Sequence, residues 1–198
     1  TSFIRSMNMK TMAVCMASPE SGIMRSAMAE MGRFLDLPVR MPGLLRDSKM
    51  VDAQAGFETA LTGLPLAFNC DLMDAGQLDS DLLVDYADPV FINEAMYALK
   101  RYARELVVDE KTIDLDHIAA VGPGGSYLTT NQTVRNFRKE VWHSNLFEQG
   151  TRDGWLKQGA LDIRERALNQ AREILADRQG HLLPPDVCQR IDDMVPTS

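Results

Sequence analysis

Three short apolar runs, each followed closely by a helix-patterned segment, constrain this chain more than any single motif does. Residues 11–17 form the first run, and Ser18-Pro19-Glu20 behind it combines a capping hydroxyl, a proline at the first helical position and an early acid, the marks of a helix start. Residues 37–41 form the second run. After a polar loop, a helix is expected over 52–61, closed by Gly63 and Pro65. Residues 66–72 form the third, ending near Asp71 and Asp74-Ala75-Gly76. Behind it a helical pattern spans 82–106, with Ile92, Met96, Leu99, Ala103 and Leu106 on one face and Pro89 at a break or a start.

Strand and helix in alternation predict βαβ units on a parallel sheet. Right-handed crossovers bring all three strand-to-helix loops to one end of it. A doubly wound sheet and a (β/α)8 barrel both place their chemistry there. A barrel takes about 250 residues, so three strands read as its last part, over residues 1–108. Residues 109–198 then form a mainly helical C-terminal extension carrying a glycine loop and a long helix over 153–176. In that helix Leu156, Ala160, Ile163, Ala167, Ala171 and Ile174 make a buried stripe, and Asp162 with Arg166 is an i, i+4 ion pair. In the first helix Met24, Met28, Met31 and Leu35 repeat at helical spacing, either as flexible core filling or as a ligand surface.

With 198 residues, 45% of them hydrophobic and 25% charged, the chain can bury a sizeable core. Its net charge of −7 argues against a nucleic-acid partner. No apolar run approaches the ~20 residues that span a bilayer, and the start lacks a secretion-signal layout, so no membrane association and a cytoplasmic location are expected. The first residue is not Met, which suggests a boundary within a longer protein or a processing point. Cys15, Cys70 and Cys188, like His117, His143 and His181, are scattered. No disulfide framework and no bound metal are expected from such spacing.

The densest polar cluster runs from Arg46 to Glu58 and includes Asp47, Ser48, Asp52 and Gln54. In a βα unit it lies on the catalytic rim. Its acids also suit the capping of a helix start, and both readings stand. Asn69 and Asp71, on or just past the third run, need hydrogen-bond partners that a ligand or a neighbouring loop can supply. Gly122-Pro123-Gly124-Gly125 lacks the spacing of a phosphate loop and reads as a turn open to close approach. Tyr127, Phe137, Trp142, Phe147 and Trp155 follow it, as aromatic core or as a cage for a quaternary ammonium. No catalytic nucleophile can be named, since neither a Cys–His motif nor a Gly-x-Ser-x-Gly elbow is present.

Leu37-Pro38-Val39-Arg40, Asp47-Ser48-Lys49, residues 52–58, residues 121–128, Trp155-Leu156-Lys157-Gln158-Gly159-Ala160 and Glu165-Arg166-Ala167 together resemble the trimethylamine methyltransferase family over nearly the whole chain. The resemblance implies the final strands of a TIM barrel plus a C-terminal extension. It implies an enzyme that moves a methyl group from trimethylamine or a quaternary amine such as glycine betaine to the cobalt of a cognate corrinoid protein. Some members of the family use pyrrolysine, which is not written here. A quaternary amine is an activated leaving group, so the protein's task would be to hold the methyl in line and exclude water. On that reading Asp47, Asp52, Gln54, Glu58 and Asn69 are expected to bind the amine or hold its ligands. Gly122, Pro123, Gly124, Gly125 and Gln132 are expected to face the corrinoid protein, which carries the cobalamin. Gln132-Thr133 stands where the family pattern has His-Thr, removing a titratable group. Two other readings are a barrel lyase or aldolase using the same acids, and a docking or oligomerisation domain. An incomplete barrel exposes apolar strand edges, so a homo-oligomer is expected.

Overall fold

The computed structural model describes residues 4–177 and 183–194, so His181 lies outside the described residues. The first apolar run does not form one strand. Ser6–Met7 (β1) pairs antiparallel with Val14–Cys15 (β2), Ser6 opposite Cys15 and Met7 opposite Val14. Asn8 turns the chain between them: its amide donates to the Ala13 carbonyl at 2.9 Å and its side chain accepts from Lys10 N at 3.0 Å. Met12 adopts a positive φ of 60°. A side-chain carbonyl that offers the backbone a local partner outcompetes extended pairing here.

Helix α1 (Pro19–Phe34) starts as the sequence predicts, with Ser18 accepting from Ser21 N and proline in the first turn. Its buried residues are Ser21, Arg25 and Ala29, whereas Met24, Met28, Met31 and Leu35 are exposed, so the methionines are not core filling. The reason is close approach. A Cβ at Gly32 would lie 2.6 Å from Val39 Cγ2, so the small-residue face seats against the sheet and turns the methionines outward.

Strand β3 (Arg40–Gly43) begins three residues later than the second run does. Helix α2 (Ala53–Ala67) contains Pro65 instead of ending before it, so the third run is mostly helix and the strand, β4, is Leu72–Ala75. Leu66 is buried with Ala29, Val39 and Met41, and that packing holds the last turn in place despite the bond that Pro65 forfeits. β3 and β4 are parallel, with Arg40 opposite Leu72 and Gly43 opposite Ala75. Met41 and Met73 join the helix-covered side. Alternation along the strands places Arg40, Leu72 and Asp74 on the other side, where Arg40 and Asp74 form an ion pair at 2.8 Å.

Beyond β4 a short turn, α3 (Leu78–Asp81), leads to α4 (Ala87–Tyr102), in which Pro89 lies in the first turn. The stretch expected to be irregular holds α5 (Glu110–Ile113), α6 (Leu115–Val121) and α7 (Asn131–Glu140). The expected long terminal helix is two helices, α8 (Arg152–Lys157) and α9 (Ile163–Ala176). Gly159 and Ala160 take φ of 95° and 53° between them, and Trp155 Nε1 locks the break by donating to the Leu161 carbonyl at 3.0 Å. Asp162 accepts from Glu165 N in a capping box and Arg166 instead meets Glu148 at 3.3 Å; the expected Asp162–Arg166 pair does not form. Ala167 and Ala171 are buried, but Leu156 and Ile174 are exposed. A last helix, α10, is Pro185–Met194.

Leu44, Val51, Ala55, Leu78, Phe91, Ala95, Leu99, Leu146 and Ala167 form the main core, so α9 and the loop between α7 and α8 pack on the same core as α2 and α4. None of the described helices is long and apolar enough to cross a membrane.

Candidate functional site

The carboxyl ends of β3 and β4 lie side by side because the strands are parallel, and the loop after each leaves in the same direction. The loop after β3 opens on Leu44, fully buried at a φ of 47°. The loop after β4 carries three consecutive left-handed residues, Asp79, Ser80 and Asp81, at φ of 51°, 55° and 68°. Such conformations cost about 1–3 kcal/mol each for residues other than glycine and persist only where surrounding contacts impose them. Those contacts are identifiable. Asp79 N donates to the Ser48 carbonyl and Ser80 N to the Arg46 carbonyl, both at 2.9 Å.

Asp47 joins these two loops to the turn before α1. Its carboxylate accepts from Met16 N at 2.8 Å and Ala17 N at 3.2 Å, and the Ser80 hydroxyl lies 2.7 Å from the same carboxylate. Glu58, buried on α2, accepts from Asp47 N at 2.7 Å, Ser48 N at 3.0 Å and Gln54 Nε2 at 2.7 Å. Asp52 caps α2 through Ala55 N at 2.8 Å and accepts from the Ser48 hydroxyl at 2.9 Å. The structure therefore brings Asp47, Asp52, Gln54 and Glu58 together, in a network whose bonds run to the protein's own loops. Lys49 closes its outer side on Asp79 at 2.7 Å, and that hydrogen bond raises the lysine above its usual range.

Asn69 is elsewhere. Its amide donates to the Pro65 carbonyl at the end of α2, ahead of β4 and so at the opposite end of the parallel pair. The expectation that it shares a rim with the acids depended on a strand over 66–72, and the strand lies later.

Beneath the network sits a buried ion pair that sequence reasoning passed over. Arg46 is 0% exposed and Asp88 5%, with Nη2 and Oδ2 at 2.7 Å; Nη2 also donates to the Gly76 carbonyl. Arg46 thereby fastens the loop after β3 to α4 and to the end of β4. Burial pushes the Asp88 carboxyl up to about 6, with Arg46 pulling against it, and burial likewise lowers the Arg46 guanidinium. Arg25 is also buried, donating to the Ile4 carbonyl at 3.2 Å. The only signals in sequence were an arginine inside the polar cluster and, 42 positions on, an acid in the first turn of α4, with nothing local to connect them.

Among the described residues no group of three or more histidine, cysteine or acidic side chains is placed to hold a metal ion. A family model described as trimethylamine methyltransferase matches residues 1–197. The chain belongs to the trimethylamine methyltransferase family. Its relatives include the trimethylamine methyltransferase MttB of Desulfitobacterium hafniense (strain DSM 10664 / DCB-2), 31% identical over 96% of this chain and 38% of that protein. The glycine betaine methyltransferase of Desulfitobacterium hafniense (strain Y51) is 31% identical over 95% of this chain and 40% of its own length. The trimethylamine methyltransferase MttB of Methanosarcina thermophila is 27% identical over 86% and 35%. The chain thus spans about two fifths of the length of these curated relatives.

In this trimethylamine methyltransferase family chain the glycine loop closes α6. Gly122 and Gly124 hold φ of 67° and 76°, and a Cβ at either would meet nothing within 4 Å. Gly125 N donates to the Gly122 carbonyl at 3.2 Å. Gln132 lies half-buried in the first turn of α7. The aromatic residues after the loop do not gather into one cage. Trp142 and Phe147 stack edge-on at 5.9 Å and reach Phe91 of the core, Tyr127 packs on His117 at 5.8 Å, and Trp155 braces the α8–α9 break.

Proposed function

We propose that this chain forms the C-terminal part of a TIM-barrel methyltransferase that moves a methyl group from trimethylamine or a quaternary amine such as glycine betaine to a corrinoid protein. The observation that carries the reading is the convergence of three loops on Asp47 at the carboxyl ends of two parallel strands, the position barrel enzymes use for chemistry. The names of the relatives support the substrate class. The face of β3 and β4 bearing Arg40, Leu72 and Asp74 is the wall that would line the barrel, since a parallel sheet is covered on both sides.

Asp47 and Glu58 act by position. Their oxygens are taken by backbone amides, the Ser80 hydroxyl and Gln54, so they fix the loops that a substrate would meet and do not themselves contact it. With Asp79 paired to Lys49, Asp47 and Asp81 are the acids on those loops that favour a cation there, as negative potential at a site mouth does. The corrinoid belongs to the partner and supplies the nucleophilic metal when the two proteins meet. The open space at Gly122 and Gly124 leaves room for that partner's surface.

The test is methyl transfer to a reduced corrinoid protein, followed by the absorbance of the corrinoid, using this chain joined behind the N-terminal portion of the Desulfitobacterium hafniense glycine betaine methyltransferase. Transfer that requires both amine and corrinoid protein, and that falls with Asp47→Ala, is expected. Amine turnover without the corrinoid protein would favour a lyase and overturn the reading.

A further inference from the structure

The segment between α4 and residue 143 exposes Leu106, Leu115, Leu128, Val134, Phe137 and Val141. Its last helix, α7, buries no residue. Val134 and Phe137 of α7, with Val141 at its C-cap, follow one another at spacings of three and four, flanked by Arg135, Arg138 and Lys139 against a single acid, Glu140. Helix α10 also buries no residue. It offers Val187, Ile191 and Met194 at spacings of four and three, flanked by Asp186, Asp192 and Asp193 against a single base, Arg190.

Two amphipathic helices of opposite charge thus stand on one chain, each with a largely exposed apolar stripe, Val187 alone being half-buried. A basic helix in a chain of net charge −7 has its best complement in an acidic helix. We propose that α7 of one copy docks on α10 of a second copy, and α10 on α7 in return, giving a two-fold dimer in which each contact occurs twice. Apolar stripes meet at the centre and the charged flanks select partner and orientation.

Analytical ultracentrifugation of the full chain tests this. The wild type is expected at twice the 22.1 kDa chain mass. The double variants Arg135→Glu/Arg138→Glu and Asp192→Lys/Asp193→Lys are each expected at the single-chain mass with unchanged far-UV helicity. Their equimolar mixture should return to the double mass, because reversal on both sides restores the complement. Raising salt to about 1 M should weaken wild-type association roughly ten-fold or more, as screening shortens to about 3 Å. A monomeric wild type, which includes α10 folded back on its own α7, would overturn the proposal. So would a dimer that survives both reversals, a mixture that stays monomeric, or assemblies larger than two copies.

Discussion

Replacing Arg46 by Met should destabilise the chain strongly at neutral pH and much less at mildly acidic pH. The side chain is fully buried, and its guanidinium is the cation nearest the Asp88 carboxylate, at 2.7 Å. Removing it leaves an ionised carboxylate buried without a counter-charge, a change that typically costs about 3–5 kcal/mol. With a urea m-value of about 2 kcal/mol/M, the denaturation midpoint at pH 7.5 should fall by about 2 M. The pH dependence follows from burial. The Asp88 carboxyl is raised from 3.8 to about 6 even with Arg46 present, so without it the pKa moves higher still. At pH 5.0 the variant's Asp88 is protonated and neutral, and what remains is mainly lost hydrogen bonding and packing, about 1–2 kcal/mol. In the wild type the folded state holds this proton more tightly than the unfolded state does. The stability contributed by Asp88 is therefore greatest below pH 3.8 and is lost as pH rises through about 6. Adding Asp88→Leu to Arg46→Met removes the orphaned charge and should recover most of the loss, since apolar replacement of a whole buried pair is often neutral or better. Equal destabilisation by Arg46→Met at both pH values, or a double variant no more stable than the single one, would refute the reasoning.

Asp47→Ala leaves Met16 N and Ala17 N without their acceptor, while the Ser80 hydroxyl keeps the Val14 carbonyl at 3.0 Å; hydrogen exchange at the two amides should speed markedly, with about 3–6 kcal/mol lost in a melt, at about 1.5–3 for each hydrogen bond to a charged group. Gly32→Ala forces a Cβ to 2.6 Å from Val39 Cγ2 and should cost about 1–3 kcal/mol. By contrast Met28→Ser and Met31→Ser, on the exposed side of α1, should each stay within about 0.5 kcal/mol; a large loss from either methionine would contradict the orientation of that helix. Asp162→Ala removes the capping box of α9 and should cost about 0.5–2 kcal/mol in urea denaturation, while an ion pair with Arg166 as its main role would make the loss vanish in high salt.

Local chemistry was legible in the residues themselves. Ser18-Pro19 starts α1 and Asp52 caps α2 because a side-chain oxygen needs only its own neighbouring amides to do so. The alternation of runs was enough to anticipate a parallel pair after residue 37, and the polar cluster was enough to place Asp47, Asp52, Gln54 and Glu58 near one another. Tertiary contact decided what lay beyond nearest neighbours. Pro65 reads locally as a stop, yet Leu66 packing under α1 carries α2 past it and moves β4 to Leu72–Ala75, which takes Asn69 away from the acids. Methionine spacing reads as a buried stripe, yet Gly32 and Ala29 permit a closer approach and win that face. The Arg46–Asp88 pair joins residues 42 positions apart, and no short-range pattern marks it. Sequence determines the interactions a residue can satisfy within a turn of itself. Which apolar face is covered, and which charge is buried with which, depends on segments distant in the chain meeting at van der Waals range.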